Sequence, residues 1–126
     1  MQTALKIAGL SPNKIAYINA HGTATPNNDQ SEGTAFKRLF EENLPPFSST
    51  KSLTGHTLAA AGGLEAVFSI LALQHQIIPP NLNFETPIEG LGIVPNTILK
   101  RGVKIEHVLS NSFGFGGNCT ALIFSR

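Results

Sequence analysis

The sequence predicts a layered α/β domain. Segments of β-branched and apolar residues with strand length alternate with helix-like segments along the chain. Polar loops follow the strand-like segments, and in open α/β sheets ligands bind beyond the carboxyl ends of the strands. A length of 126 residues fits one domain with its own core. We found no internal repeat, so a single α/β unit is the expected organisation.

The first third of the chain predicts helix, strand and helix. Residues 2–8 predict a short helix that stops at Gly9, because glycine is common just after a helix end. The run "IAYINA", residues 15–20, is continuous enough to be a buried strand. Asp29 and Glu32 have the spacing of a capping box, which predicts a helix beginning there. That helix carries an apolar stripe made of Ala35, Phe36, Leu39 and Phe40.

The rest of the chain predicts a short strand near residues 47–50, a long helix and a closing group of strands. The long helix, from Thr57 to about Ile77, is apolar around most of its circumference and is therefore expected to be buried. Gly62 and Gly63 each cost about 1 kcal/mol relative to alanine in a helix interior, so we expect another backbone to pass close by. After a proline-rich loop, strands are predicted in "TILKRG", "EHVLSNS" and "CTALIFSR".

Composition argues against several classes of function. Charged residues make up 13% of the chain, about half the usual share, so much of the surface is expected to be covered by another protein part. A net charge of +1 offers no electrostatic case for nucleic acid or an anionic membrane as partner. One cysteine excludes an internal disulfide framework. Polar residues and glycines interrupt the longest apolar run, and no signal peptide is evident, so we expect a cytoplasmic protein.

Three polar loops are the candidates for chemistry: "HGTAT" at residues 21–25, "KSLTGH" at 51–56 and "NSFGFGGN" at 111–118. Each alone has an ordinary explanation: a bonded loop histidine, a solvated lysine, a tight glycine turn. His56 directly precedes the predicted long helix and could simply occupy its first turn; a helix start disfavours an extra positive charge, so His56 is expected to be a neutral hydrogen-bond donor. Free N–H groups in the glycine loop can point at a carbonyl oxygen.

Other chemistries fit these loops less well. His21 and His56 with Asp29 or Glu32 are a possible metal ligand set, but no short metal-ligand spacing is present. There is no G-x-S-x-G elbow for a serine hydrolase. The glycines also fail the G-x-G-x-x-G spacing of dinucleotide-binding loops.

Three motifs in order resemble a known family. "NAHGTATPNNDQSE", "SSTKSLTGHTLAAAGGLEA" and "SNSFGFGGN" resemble the C-terminal portion of β-ketoacyl-acyl-carrier-protein synthases, the condensing enzymes of fatty acid and polyketide synthesis. The likeness runs along essentially the whole chain, so residues 1–126 are predicted to form one C-terminal synthase domain. The resemblance implies the C-terminal half of a thiolase-like fold, with helices layered on a mixed β-sheet.

The resemblance also implies catalytic roles. His21 and His56 are expected to donate hydrogen bonds to the malonyl thioester carbonyl and to stabilise the enolate formed on decarboxylation. Lys51 is expected to pair with Glu32 and Asp29, which fixes the loops and tunes the imidazoles.

Substrate contacts follow from the same resemblance. Thr23 and Thr25 match positions that contact the pantetheine arm. Phe115 matches the gating phenylalanine of the glycine loop, with Gly114 beside it, and the backbone N–H there joins the oxyanion hole. No bound cofactor is implied, since the substrate is carried on the phosphopantetheine of an acyl carrier protein, the expected partner. The parent enzyme is expected to be a homodimer.

Two departures from the family pattern matter. The nucleophilic cysteine belongs to the family's other half and is absent here, so the chain alone is expected to be inactive and to belong to a longer synthase. Cys119 stands where the family usually has asparagine, next to Asn118, and alternation predicts it to be a buried strand residue. The acyl chain length and the pathway remain open.

Two alternative functions remain. A non-catalytic scaffold or chain-length partner of an active synthase has the same fold but usually lacks the histidines. A thiolase-like or decarboxylating enzyme completed by another chain is the second. The presence of His21, Lys51 and His56 together favours the condensing enzyme over both.

Overall fold

A four-stranded mixed β-sheet forms the centre of the molecule in a computed structural model that describes all 126 residues. The strands lie in the order β2 (Phe47–Ser48), β1 (Tyr17–Asn19), β5 (His107–Phe113) and β6 (Cys119–Ser125). β1 runs parallel to β2 and β5, and β6 runs antiparallel to β5. All three residues of β1 are buried, as a continuous apolar run predicts. The predicted layered α/β fold is confirmed.

Helices cover both faces of the sheet and create two hydrophobic clusters. α1 (Gln2–Ala8) and α2 (Pro26–Phe40) pack on one face, and α4 (Ala61–His75) packs on the other. The first cluster contains Leu5, Ile15, Ile18, Ala20, Phe36, Phe40 and Leu109. The second contains Tyr17, Ala72, Leu73, Ile78, Ile105 and Val108. β1 and β5 contribute to both clusters, which makes them the central strands of the sheet.

The remaining elements are short. α3 (Lys51–Thr54) follows β2, and β3 (Ile77–Ile78) pairs antiparallel with β4 (Lys100–Arg101) in a separate ribbon. β3 was not predicted as a strand. The proline-rich loop between β3 and β4 is fastened to the sheet by Asn96, whose N–H donates to the Phe47 carbonyl at 2.7 Å. This loop therefore lies beside β2 and forms one wall of the cavity described below.

The helix ends differ in part from the prediction. α1 ends at Gly9, which adopts the left-handed conformation with φ 65°, as predicted. α2 begins at Pro26 with Thr25 as its N-cap residue and no side-chain cap, so the capping box of Asp29 and Glu32 is wrong. Proline at the first helical position has no N–H and a suitable φ, which explains the earlier start. Glu32 instead accepts hydrogen bonds from the backbone of the loop that follows β1.

The long helix is shorter and less covered than predicted. A 3₁₀ turn, Leu58–Ala60, precedes α4, and the helix ends at Gln76 in the left-handed conformation. Val67, Ile70 and Leu71 are 52%, 38% and 37% exposed, so the prediction of burial on all sides is wrong for this chain by itself. The buried positions of α4 include Glu65 and Ser69, which lie on the side of the helix that packs against the sheet.

The Leu58–His75 segment has the length and mean hydropathy, 1.3, of a membrane-crossing helix. A helix buried inside a protein passes the same test. Glu65 in its first half forms an ion pair with Lys51, which lies outside this helix. This ion pair indicates a helix buried inside a protein rather than one that crosses a membrane, since a charged side chain is very rarely buried without a partner.

Two small residues also differ from expectation. A Cβ on Gly62 would lie 3.1 Å from Ser112 Oγ, whereas a Cβ on Gly63 would meet nothing within 4 Å. Gly62 therefore leaves room for the Ser112 side chain rather than for a neighbouring backbone. Cys119 is exposed and free, so its predicted burial is wrong: it lies at the open end of the edge strand β6.

Candidate active site

The three polar loops meet at one edge of the sheet. β1 and β2 are parallel and lead into His21 and Lys51 respectively, and Phe113 is the last residue of β5. Because the carboxyl ends of parallel strands lie at the same edge, the loops converge there. The contacts below connect His21, Lys51 and Phe113 directly.

His21 is held as a neutral imidazole with its proton on Nε2. His21 is only 6% exposed. Nδ1 accepts a hydrogen bond from the Phe113 N–H at 3.3 Å, and Lys51 Nζ also lies 3.3 Å away. Two donors at Nδ1 assign the proton to Nε2. Loss of water around the ring, then the positive charge of Lys51, lower the pKa of His21 to about 4.

His56 is also oriented by a backbone amide. It lies in the exposed loop between α3 and the 3₁₀ turn, ahead of the long helix rather than in its first turn. The Leu58 N–H donates to His56 Nδ1 at 3.0 Å, which leaves the Nε2 proton free to donate. The two imidazole rings lie edge to face, with centroids 6.0 Å apart. Each ring is therefore oriented by a backbone N–H at Nδ1 and carries its proton on Nε2.

Lys51 pairs with Glu65, a residue that sequence reasoning did not select. Lys51 Nζ donates to Glu65 Oε1 and, at 2.6 Å, to the His21 carbonyl oxygen. The two charged side chains are only 7% and 3% exposed. The expected pairing of Lys51 with Glu32 and Asp29 is therefore wrong. A carboxylate within an apolar helix was the available signal, because such a group needs a partner.

Glu32 instead fixes the backbone of the loop after β1. Its two oxygens accept from the His21 and Gly22 N–H groups, each at 3.0 Å, and Asn111 Nδ2 adds a contact at 3.2 Å. Burial raises the pKa of Glu32, and these hydrogen bonds oppose that shift. Asp29 lies one helical turn earlier, half-buried, and accepts from Asn28 Nδ2 at 3.1 Å. Glu32 therefore holds the backbone N–H of His21, whereas Lys51 contacts its carbonyl oxygen and ring.

The candidate substrate contacts lie around this centre. Thr23 and Thr25 bond each other through their hydroxyls at 3.2 Å, and Thr23 lines a cavity of about 640 Å³ that is open to solvent. Lys51 and His56 line the same cavity, and the loop at residues 81–86 forms its opposite wall. His21 itself does not line it. The cavity therefore offers a space for a flexible polar arm beside His56.

The glycine loop places its two phenylalanines differently. Phe115 is 100% exposed in the turn Phe115–Gly117, which the Gly114 N–H closes by donating to the Asn118 carbonyl at 2.7 Å. Phe113 packs its ring against His21, with centroids 5.2 Å apart. The structure thus brings Phe113, not Phe115, into contact with the imidazole. Asn118 contributes its backbone carbonyl to the turn, in the place next to the unusual Cys119.

The metal alternative lacks a ligand set. His21 and His56 have no third histidine, cysteine or carboxylate arranged with them for a metal ion. Glu32 is occupied by backbone amides, and a catalytic zinc site needs three protein ligands.

The fold is that of thiolase-like ketosynthases. A β-ketoacyl synthase from Burkholderia phymatum superposes with a TM-score of 0.89 at 43% identity, over 100% of this chain and 31% of that one. A ketosynthase from Xenorhabdus doucetiae, solved with its chain length factor, gives a TM-score of 0.86 at 43% identity, over 99% and 32% of the two chains.

Sequence relatives define the family. Residues 1–85 match the model of the β-ketoacyl synthase C-terminal domain, and the chain belongs to that family. The 3-oxoacyl-[acyl-carrier-protein] synthase 2 of Coxiella burnetii is 48% identical over 100% of this chain and 31% of its own length. The mitochondrial 3-oxoacyl-[acyl-carrier-protein] synthase of Arabidopsis thaliana is 45% identical over 99% and 28%. The chain thus spans about a third of the length of the relatives that it matches.

Proposed function

We propose that this chain is the C-terminal catalytic part of a 3-oxoacyl-[acyl-carrier-protein] synthase, which condenses malonyl and acyl thioesters in fatty acid or polyketide synthesis. One observation carries the proposal: His21 and His56 each accept a backbone N–H at Nδ1 and so hold a proton on Nε2. Two neutral imidazole donors suit a developing oxyanion, because they are oriented before the reaction begins.

The chemistry that this pair supports is decarboxylation. The bond between the malonyl methylene carbon and its carboxylate breaks, CO₂ leaves, and the electron pair forms an enolate whose negative charge rests on the thioester oxygen. The Nε2–H groups of His21 and His56 donate to that oxygen. The enolate carbon then attacks the carbonyl carbon of the acyl thioester held on the enzyme's cysteine; the carbon–sulfur bond of that thioester breaks and the cysteine thiolate leaves. One oriented oxyanion donor is commonly worth about 3 kcal/mol in such a step.

Lys51 supports this step by holding His21. Its ammonium lies 3.3 Å from Nδ1 and donates to the His21 carbonyl oxygen at 2.6 Å, so it restrains both ends of the residue. The low pKa of His21, about 4, keeps the ring neutral at physiological pH. A neutral donor retains its Nε2 proton and does not attract the malonyl carboxylate as a cation would.

The remaining parts of the enzyme are supplied elsewhere. The matched relatives are about three times as long as this chain, and we propose that the acyl-carrying cysteine lies in the portion corresponding to the rest of their length. An acyl carrier protein is the proposed partner, with Thr23 and Thr25 beside the cavity that would admit its pantetheine arm. One structural neighbour was solved as a ketosynthase in complex with a type II polyketide synthase acyl-carrier protein. A homodimer remains part of the proposal.

The test is malonyl decarboxylation by the complete reading frame that encodes this chain. CO₂ release from malonyl-acyl-carrier protein is measured for the unmodified protein and for His56→Ala. We expect a loss of about 100-fold or more in the variant, since one oxyanion donor is removed. His75→Ala is the matched control, because His75 is exposed at the end of α4 and outside the site.

Two results would contradict the proposal. If the complete protein has no portion that carries the acyl-holding cysteine and releases no CO₂, the scaffold or chain-length function is favoured instead. A His56→Ala variant with undiminished decarboxylation would remove the imidazole from the mechanism.

A further inference from the structure

We propose that Ser112 is a positioning residue: its hydroxyl fixes the Glu65 carboxylate, and Glu65 in turn holds Lys51 against His21. The inference rests on the proposed function for its catalytic consequence, but its structural part is testable without it. Ser112 is the penultimate residue of β5, which packs against α4, the helix that carries Glu65.

The two oxygens of Glu65 have different partners. Oε1 pairs with Lys51 Nζ, and Oε2 accepts the Ser112 hydroxyl at 2.8 Å. Ser112 is the only side chain or amide that donates to Oε2. Glu65 is only 2% exposed, so water does not readily replace this donor. A buried carboxylate with one oxygen left unpaired turns to find another donor, and the Lys51 contact changes with it.

Gly62 provides independent support for the importance of this hydroxyl. Gly62 precedes Glu65 by three residues and therefore lies on the same face of α4. A Cβ at that position would lie 3.1 Å from Ser112 Oγ and 3.5 Å from its Cβ. Gly62 lies in the first turn of α4, and because it has no side chain it leaves the space in which the Ser112 hydroxyl reaches Glu65. Gly63, by contrast, faces open space.

Consecutive residues of β5 thus hold His21 by two routes. The Phe113 N–H donates directly to His21 Nδ1 at 3.3 Å. Ser112 acts through Glu65 and Lys51, whose ammonium donates to the His21 carbonyl oxygen at 2.6 Å. Because alternate side chains of a strand point to opposite faces, Ser112 and Phe113 reach different sides of the site. Loss of the Ser112 hydroxyl leaves the contact between the Phe113 N–H and His21 intact. It weakens only the contact that reaches His21 through Glu65 and Lys51.

The structural test follows the Lys51 ammonium protons by ¹H–¹⁵N NMR. The chain carries Val67→Gln and Leu71→Gln on the exposed face of α4 so that it stays soluble. Exchange of the ammonium protons with water is compared among the unmodified site, Ser112→Ala, Ser112→Thr, Gly62→Ala and Gly63→Ala. We expect exchange about tenfold faster in Ser112→Ala and Gly62→Ala, because a hydrogen bond in the network is lost. Ser112→Thr keeps the hydroxyl, and Gly63→Ala is the matched glycine control, so both should match the unmodified site.

Amide exchange in β1 and β5 distinguishes positioning from general loosening of the fold. If Ser112→Ala and Gly62→Ala speed β-sheet amide exchange as much as Lys51 exchange, Ser112 is only structural and the inference is overturned. Unchanged Lys51 exchange in a folded Ser112→Ala variant also overturns it. If Ser112→Ala does not fold, the comparison of Gly62→Ala with Gly63→Ala decides.

The catalytic test uses the complete reading frame. Ser112→Ala should lower kcat for malonyl decarboxylation with little change in KM, and Ser112→Thr should restore it. If every form of the protein is inactive while Lys51 exchange responds as expected, the proposed function fails and the positioning role stands. If the protein is active and Ser112→Ala changes neither kcat nor Lys51 exchange, the proposed function stands and the positioning role fails.

Discussion

The imidazole rings of His21 and His56 lie edge to face at 88°, with their centroids 6.0 Å apart. Neither ring bonds the other, since each Nδ1 takes a backbone N–H from its own side: Phe113 for His21 and Leu58 for His56. Two segments separated along the chain thus orient two donors independently. The contacts that orient the rings therefore leave both Nε2 protons unpaired, as the proposed function requires.

The protonation of His21 gives the first prediction. Burial and the charge of Lys51 lower its pKa to about 4, so His21 should stay neutral as the pH falls through 6. Histidine-selective ¹⁵N NMR should show the Nε2–H tautomer and a titration midpoint near 4, with the exposed His75 as reference. A midpoint at or above 6.5 would contradict the assigned contacts.

The same shift predicts how stability depends on pH. The folded pKa of His21, about 4, lies below the unfolded value of 6.5, so the unfolded chain binds more protons between these limits. The free energy of unfolding should therefore fall as the pH drops from 6.5 toward 4. Glu32 acts in the opposite sense, because its pKa is raised and its contribution weakens as the pH rises. Urea unfolding of His21→Gln across this range isolates the histidine contribution, which should be absent in the variant.

The ion pair between Lys51 and Glu65 gives the second prediction. The side chains of Lys51 and Glu65 are only 7% and 3% exposed, so removing either one leaves the charge of the other buried and unpaired. Lys51→Met and Glu65→Gln should each destabilise the fold by about 3–5 kcal/mol, the usual cost of an unpaired buried charge. The double variant should lose much less than the sum, as measured by urea unfolding in a double-mutant cycle. Additive losses would show that the two groups do not interact.

Gly22 gives the third prediction. Its φ is +46°, and a Cβ there would lie 2.4 Å from the Ser49 Cβ. Gly22→Ala should therefore be more destabilising than Gly9→Ala, which has a similar φ of +65° but open space around it. The control should lose about 1 kcal/mol from backbone strain alone. Thermal unfolding of both variants measures the difference, and equal losses would mean that the loop moves to relieve the contact.

The exposed apolar face of α4 gives the fourth prediction. Val67, Ile70 and Leu71 of α4 and Leu58 in the preceding 3₁₀ turn are between 37% and 74% exposed. The chain of 126 residues by itself should bind hydrophobic dyes and self-associate. Val67→Gln with Leu71→Gln should reduce both effects, measured by dye fluorescence and sedimentation, while Gln74→Ala on the exposed end of α4 should not. A monomeric unmodified chain without dye binding would contradict the prediction.

Local sequence signals determined much of the fold. The apolar run "IAYINA" and the glycine after residue 8 predicted β1 and the end of α1, because burial and left-handed backbone are local demands. The three polar loops were selected as the candidate site, and the structure joins His21, Lys51 and the glycine-loop segment through direct contacts. The family could be inferred from those motifs, since their order and spacing are properties of the chain alone.

Tertiary structure alone decided which groups pair. Lys51 bonds Glu65 rather than Glu32, and Glu32 bonds the amides of His21 and Gly22, because the sheet order places α4 against β5 and α2 behind the loop after β1. Sequence spacing predicts contacts within a helix or a turn, whereas these partners lie 10 to 14 residues apart on separate elements. The role of Ser112 is visible only there too, since it depends on a helix crossing a strand at a glycine.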